Sequence, residues 1–253
     1  MSPTRTLILA AGRGERMRPL TDTCPKPLLR VRGKALIDWQ VAALAAGGFT
    51  DFVVNTAWLG EQIPAHLKGQ SGLQANADGR GPLIFSYSHE GVDFGGALET
   101  AGGIARALPS LGEVFWVVAA DVFTPGFTFS KDAVARFKAG GQLAHLWLVP
   151  NPPHNPRGDF GLGADGLALS LPRTSGEPQW TFSTIALYRR EFFDSLPFGN
   201  PKGEKAALAP LLRAAMDNRR VSAELYAGSW TDVGTPERLA ELNATDLPIT
   251  GSP

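Results

Sequence analysis

The chain has 253 residues, 43% of them hydrophobic and 19% charged, and its 24 Lys+Arg balance 24 Asp+Glu for a formal net charge of zero. That composition describes a folded globule able to bury a core, and it lacks the basic surplus that bulk nucleic-acid or anionic-membrane binding requires. One cysteine, Cys24, excludes an internal disulfide, and MSPTRT leads into a strand with no apolar run long enough for a signal peptide or membrane span, so a cytoplasmic protein is expected.

The first predicted element is a buried strand, Leu7 to Leu9. It breaks into a loop containing Gly12 and Gly14 and carrying Arg13, Arg16, Arg18 and Lys26. Glycine lets a backbone approach a ligand closely, and successive N–H groups in such a loop form an anion-binding concavity. Pro19, Pro25 and Pro27 stiffen the later part of the loop. The expected guest is a polyphosphate. The Walker pattern is absent, and the dinucleotide fingerprint begins at Gly12 and Gly14 but meets Met17 where its third glycine belongs.

Apolar spacing predicts a helix over Leu36–Ala46 that stops at Gly47-Gly48, then a strand Asp51–Thr56 and a short helix Glu61–Leu67. A polar, glycine-rich surface loop comes next over 69–82, then a strand Leu83–Tyr87. Thr100 is placed to cap a helix running to Leu108, with Gly102 and Gly103 in its first turn. Glycine is a poor helix former, so two there imply that something comes close to the backbone. Val114–Ala120 is a continuous apolar run, the mark of a central strand covered on both faces, and it ends at Asp121. Lys131–Ala139 reads as a helix and Ala144–Val149 as a strand.

This alternation defines an α/β fold, a Rossmann-like, doubly wound sheet that is mixed but mostly parallel. From Asn151 the texture changes: a turn-rich stretch precedes strands Leu167–Leu171 and Trp180–Tyr188, helices Arg190–Leu196 and Ala207–Arg219, and a strand Val221–Tyr226. The expectation is a single domain, with a nucleotide-binding half (6–150), an α+β half completing the pocket (151–243) and a disordered tail (246–253).

In open α/β sheets ligands sit beyond the carboxyl ends of the strands, where the Gly12–Lys26 loop and Asp121 both fall. A carboxylate ending an apolar strand is costly to bury unless it meets a cation or a metal; Asp121 is either a turn cap or a Mg²⁺ ligand. Asp232, in Trp230-Thr231-Asp232-Val233-Gly234-Thr235 just before Pro236, which starts a helix, is by itself either an N-terminal turn residue or a second ligand. His66, His89, His145 and His154 lack metal-ligand spacing. Trp116, Trp147 and Trp180 read as core.

The run from Gly12 to Pro27 resembles the signature G-x-G-x-R-[LM]-x-P-L-T…P-K-P of sugar-1-phosphate nucleotidylyltransferases. By this resemblance Ala11, Gly12, Arg13, Gly14 and Arg16 hold a nucleoside triphosphate, and Arg16 and Lys26 are catalytic, Lys26 neutralising the α-phosphate and the incoming sugar phosphate. Asp121 falls at the metal aspartate of the family's V-x-G-D segment, with Ala120 in place of its glycine, and Asp232 falls in a late metal-binding segment, implying Mg²⁺ as cofactor. Leu98–Gly103 resembles the L-G-T-A-G segment, assigning Thr100, Gly102 and Gly103 to the nucleotide. Glu99 replaces the common glycine and is open to two roles, a helix-dipole partner or a contact to the sugar. Ser170-Leu171-Pro172-Arg173 stands where the family carries E-K-P, without its glutamate.

LETAGG, the NP…RGDF stretch, TFS, LAPLLRAAM and WTDVGT together resemble the bacterial N-acetylmuramate-1-phosphate uridylyltransferases. That implies transfer of UMP from UTP to N-acetylmuramate 1-phosphate, giving UDP-N-acetylmuramate and pyrophosphate as peptidoglycan sugars are recycled. Asn151 and Asp159 would then lie near the sugar, and Arg157 is either the cation that meets its lactyl carboxylate or a solvated surface arginine. Expected partners are UTP and a sugar 1-phosphate, without nucleic acid or membrane, in a monomer or homodimer. Rival readings are another hexose 1-phosphate with UTP, dTTP or GTP, a non-catalytic nucleotide-sugar-binding regulator, and a nicotinamide oxidoreductase, which Met17 disfavours.

Overall fold

Residues alternate between the two faces of a strand, so a short apolar strand with helices on both sides feeds two cores at once. The computed structural model, which describes residues 4–70, 81–172 and 174–244, is built on that rule. Most of the expected loop 69–82, Arg173 and the tail 246–253 lie outside the described residues.

In chain order the elements are β1 (Thr6–Leu9), β2 (Arg30–Val31), β3 (Lys34–Ala35), α1 (Leu36–Ala46), β4 (Asp51–Thr56), α2 (Gln62–Leu67), β5 (Ile84–His89), α3 (Glu90–Phe94) and α4 (Glu99–Ala107). Then come β6 (Val114–Ala119), β7 (Val122–Phe123), α5 (Lys131–Ala139), β8 (Ala144–Val149), β9 (Phe160–Leu162), β10 (Ala168–Leu169) and β11 (Gln179–Arg189). The chain continues through α6 (Leu208–Asp217), β12 (Val221–Leu225), β13 (Thr231–Asp232) and α7 (Pro236–Ala244).

The main sheet runs β10-β9-β11-β6-β1-β4-β5, with β8 also on β11 and β12 on β8. Its parallel part, β6-β1-β4-β5, reverses direction of progression between β1 and β6, and such a switch point opens a crevice at the strands' carboxyl ends. β11 lies antiparallel to β6 and β8, shifts register between Phe182 and Ala186, and reaches on to pair with β9. The same strand therefore continues the central sheet and supplies a wall beyond it.

Ile8, Val54, Trp116 and Val118 pack with α1, α2 and α5 on one face. Leu7, Val53, Phe115 and Val117 pack with α4 and α6 on the other. A third cluster joins Met17, Leu29, Val31, Leu36, Phe123 and Val233, docking the first loop onto the β7–β13 ribbon. Met17, at the position of the absent third glycine, is thus a buried anchor. Trp116 and Trp147 are core as expected, whereas Trp180 is only partly buried.

Further sequence expectations need correction, among them the helix over Arg190–Leu196, which is only a 3-10 turn at Arg190–Phe193. Leu98 precedes α4 and Thr100 is its second residue, so Thr100 is not the cap; Glu99, the first residue, has a left-handed backbone at φ 58. The strand expected over Leu167–Leu171 shortens to Ala168–Leu169, where pairing with β9 ends. Among the described residues no helix is long and apolar enough to cross a membrane.

Candidate active site

The loop after β1 winds through short 3-10 turns at Glu15–Met17, Leu20–Asp22 and Lys26–Leu28. Gly14 has φ 67, and a Cβ there would stand 3.0 Å from Thr21 Cγ2 and 3.3 Å from Lys26 Cβ. Its glycine thus serves the loop's own packing. Gly12 differs: it is exposed, and a Cβ would meet nothing within 4 Å, leaving backbone open to a ligand.

These turns deliver Lys26, 8% exposed, to Asp121 just past β6, with Nζ donating to Oδ2 at 2.5 Å. The carboxylate at the strand end has met a cation, which offsets its desolvation. The pair borders a cavity of about 740 Å³. One wall is Leu9 to Gly12 with Glu99 and Thr100; the opposite wall carries Asp159, Phe160, Phe182, Thr184, Leu212 and Arg213. The volume lies within the range of small-molecule sites.

Behind the first wall runs a hydrogen-bond chain. Ala10 N–H donates to Asn55 Oδ1 (2.7 Å), Asn55 Nδ2 donates to Glu90 Oε1 (2.6 Å), and Leu98 N–H donates to Glu90 Oε2 (2.8 Å). Glu90 is fully buried, and burial pushes its carboxyl above the ordinary range, against the Leu98 and Asn55 bonds and the Arg106 charge. The chain ties the phosphate-type loop to the start of α4 without a covalent link. Glu90 and Asn55 also border the cavity, and the sequence reading missed both.

Other expected residues do not converge. Arg13 stacks 3.6 Å from the Trp58 ring centroid and donates to Thr21 O (3.0 Å) and Asp22 (3.3 Å), so it braces the loop. Arg16 is exposed and borders neither this cavity nor the second one, beside Asp232. The close approach to the backbone expected at Gly102 and Gly103 is made, on the side a Cβ would take, by the protein itself. A Cβ on Gly102 would stand 2.6 Å from Glu204 O, and one on Gly103 would stand 2.5 Å from Glu90 Oε1. Asn151 donates to Gln179 O (2.8 Å) and accepts from Thr181 Oγ1 (2.9 Å), fixing the turn after β8. Asp159 borders the cavity, yet its carboxylate accepts from Phe182 N–H (2.9 Å) and Asn155 Nδ2 (3.2 Å). Arg157 is exposed and borders neither cavity.

Asp232 is the clearest departure. Its backbone pairs with Val122, and Val233 N–H donates to Asp121 O at 2.8 Å, so the two aspartates are neighbours along the ribbon. Its carboxylate instead faces Arg238 and His154, the latter at 2.8 Å, in a second cavity of about 610 Å³. Among the described residues no group of three or more His, Cys, Asp or Glu could hold a metal unaided. Mg²⁺, however, takes one or two carboxylates plus substrate phosphates, and Asp121 at the crevice fits that donor set. Asp232 fits it only after leaving Arg238.

A switch-point cavity with an open glycine loop and a lysine–aspartate pair is the arrangement of a phosphate-handling α/β enzyme, and the chain belongs to the nucleotidyl transferase family, whose model matches residues 5–248. More particularly, it is 48% identical over 246 residues to the N-acetylmuramate alpha-1-phosphate uridylyltransferase of Neisseria meningitidis, covering 95% of this chain and 97% of that one. It is 32% identical over 243 residues to the enzyme of the same name from Caulobacter vibrioides, covering 93% and 94%. The fold also matches a Bacillus anthracis structure, described as a glucose-1-phosphate thymidylyltransferase in complex with a sucrose, at a TM-score of 0.74 and 19% identity over 99% of this chain and all of that one.

Proposed function

We propose that this chain transfers UMP from UTP to N-acetylmuramate 1-phosphate, forming UDP-N-acetylmuramate and releasing pyrophosphate, as a step in the reuse of peptidoglycan sugars. The observation that carries the chemistry is Lys26: an ammonium held 2.5 Å from Asp121 at the ends of β1 and β6, inside a cavity large enough for a nucleotide-sized guest. The choice of uracil and of the muramyl sugar rests on the near-full-length similarity to the two uridylyltransferases.

The reaction joins two anions. An oxygen of the sugar phosphate attacks the α-phosphorus in line, the bond from that phosphorus to the bridging oxygen breaks, and pyrophosphate leaves with the electron pair. No protein nucleophile is needed, so catalysis reduces to positioning and charge stabilisation. Lys26 supplies positive charge between the phosphates, and the open backbone at Gly12 lets the triphosphate lie against main-chain N–H groups. Mg²⁺, when bound by Asp121 together with phosphate oxygens, would add Lewis-acid charge neutralisation. The reading sets the protein in the cytoplasm, where UTP is found.

The test is pyrophosphate release across a panel of UTP, dTTP, GTP and CTP against several sugar 1-phosphates, with Mg²⁺ present or chelated. The expected result is preferred turnover of UTP with N-acetylmuramate 1-phosphate, abolished by EDTA and restored by Mg²⁺. Preferred turnover of another pair would overturn the substrate assignment, and undiminished turnover in EDTA would overturn the metal.

A further inference from the structure

We infer that Arg213, not Arg157, reads the lactyl carboxylate of the sugar and so sets the enzyme's preference for N-acetylmuramate 1-phosphate; this rests on the function proposed above. N-acetylmuramate differs from N-acetylglucosamine by an ether-linked lactyl group whose carboxylate is ionised at neutral pH. A site that encloses such a sugar must give that carboxylate a cation, or leave it desolvated without compensation.

Arg213 projects from α6 to the cavity wall opposite the glycine loop. All of its hydrogen bonds go to neutral acceptors: Asp159 O at 3.0 Å, Ser170 Oγ at 3.4 Å and Leu171 O at 3.5 Å. Its guanidinium carbon lies 5.1 Å from the Phe160 ring centroid. Among the described residues no carboxylate pairs with it. Asp159, the nearest candidate by contact, turns its carboxylate to Phe182 N–H and the Asn155 amide, offering Arg213 only its main-chain oxygen.

The other cation bordering this cavity, Lys26, is matched by Asp121. Of the two cations bordering the cavity, Arg213 is therefore the one with no carboxylate partner among the described residues. Guanidinium carries five N–H donors in a planar fork suited to a carboxylate, and here the Nε donor makes no bond within the protein among the described residues. The stacking on Phe160 and the three oxygen acceptors orient the group before any ligand arrives, so little freedom is lost on binding. Arg157, exposed and outside the cavity, has none of these features.

The experiment is a cycle with two changes, Arg213→Met in the protein and carboxylate to carboxamide in the lactyl group of the sugar phosphate. In the wild-type enzyme the amide should lower kcat/KM about 10- to 100-fold, the scale of one or two charge-assisted hydrogen bonds. Arg213→Met should lower kcat/KM for the acid by a similar factor, mainly through KM for the sugar phosphate, and should make acid and amide nearly equivalent. The preference for N-acetylmuramate 1-phosphate over N-acetylglucosamine 1-phosphate should fall by the same factor, and Arg213→Lys should recover part of it. Additive losses for the two changes, or an equal loss on both sugars, would overturn the assignment. Should Arg213→Met fail to fold, full wild-type activity on the amide would overturn it alone. Absence of turnover of N-acetylmuramate 1-phosphate by the wild-type enzyme would instead defeat the proposed function.

Discussion

Asp121 and Asp232 sit side by side on the β7–β13 ribbon, yet their carboxylates open on different cavities and find partners by different routes. Asp121 is met by Lys26, 95 positions away in sequence, and the pair exists only because the first loop folds back over the sheet. Asp232 is met by Arg238, 6 positions on, whose place is set by the start of α7, where Thr235 Oγ1 accepts from Arg238 N–H at 3.4 Å. His154 approaches the same carboxylate from the turn after β8. The long-range pair reports the architecture of the main cavity. The second cluster holds a carboxylate aside through one partner close in sequence, Arg238, and one distant, His154.

That contrast is broken most directly at its first member. Lys26→Ala or Asp121→Ala is expected to lower kcat by about 10²-fold or more, the scale of one preorganised electrostatic group, read by pyrophosphate release under saturating substrates. If Asp232 joins the metal once released, Arg238→Ala should tighten Mg²⁺ binding several-fold, by about 1 kcal/mol for one lost ion pair. Calorimetric titration of Mg²⁺ into the UTP-loaded protein checks this; unchanged affinity would leave Asp232 a structural residue.

The wall behind the glycine loop sharpens the comparison through stability. Gly103→Ala puts a methyl 2.5 Å from Glu90 Oε1 and 2.9 Å from Asn55 Nδ2. It should cost about 1–3 kcal/mol of unfolding free energy, visible as a lower Tm. The smallest expected effect is a pH dependence. Because burial raises the Glu90 carboxyl, the folded protein binds that proton more tightly than the unfolded chain does. Its contribution is full below the ordinary glutamate value and is lost as pH rises through the raised one. Glu90→Gln should remove that slope above the ordinary glutamate value in thermal unfolding, while lowering Tm throughout, since an amide turns a donor toward either Leu98 N–H or Asn55 Nδ2.

Periodicity made the long elements legible: α1, β4, α5 and β8 fall on the expected residues because each has enough turns or alternations to declare its period. The short strands β2, β3, β7 and β13 and the 3-10 turns carry too few residues for any pattern. Asp121 was legible because a charge closing an apolar strand needs a partner, and a cation was one expected solution. The close approach at Gly102 and Gly103 was legible, but glycine does not say by what, and Glu204 O and Glu90 Oε1 lie where a Cβ would be. Glu90 was findable from the switch-point rule, since it comes directly after the end of a parallel strand. Arg213 was hidden, because a charge on an amphipathic helix ordinarily faces water.

Glu99 holds a left-handed backbone at φ 58 on the rim of the main cavity, a state that costs an L-residue with a side chain roughly 1–2 kcal/mol. Glycine would relax there, so the position marks where heat resistance is available to an engineer. It is also where such relief would erase a negative charge from the border of a cavity proposed to take an already anionic sugar.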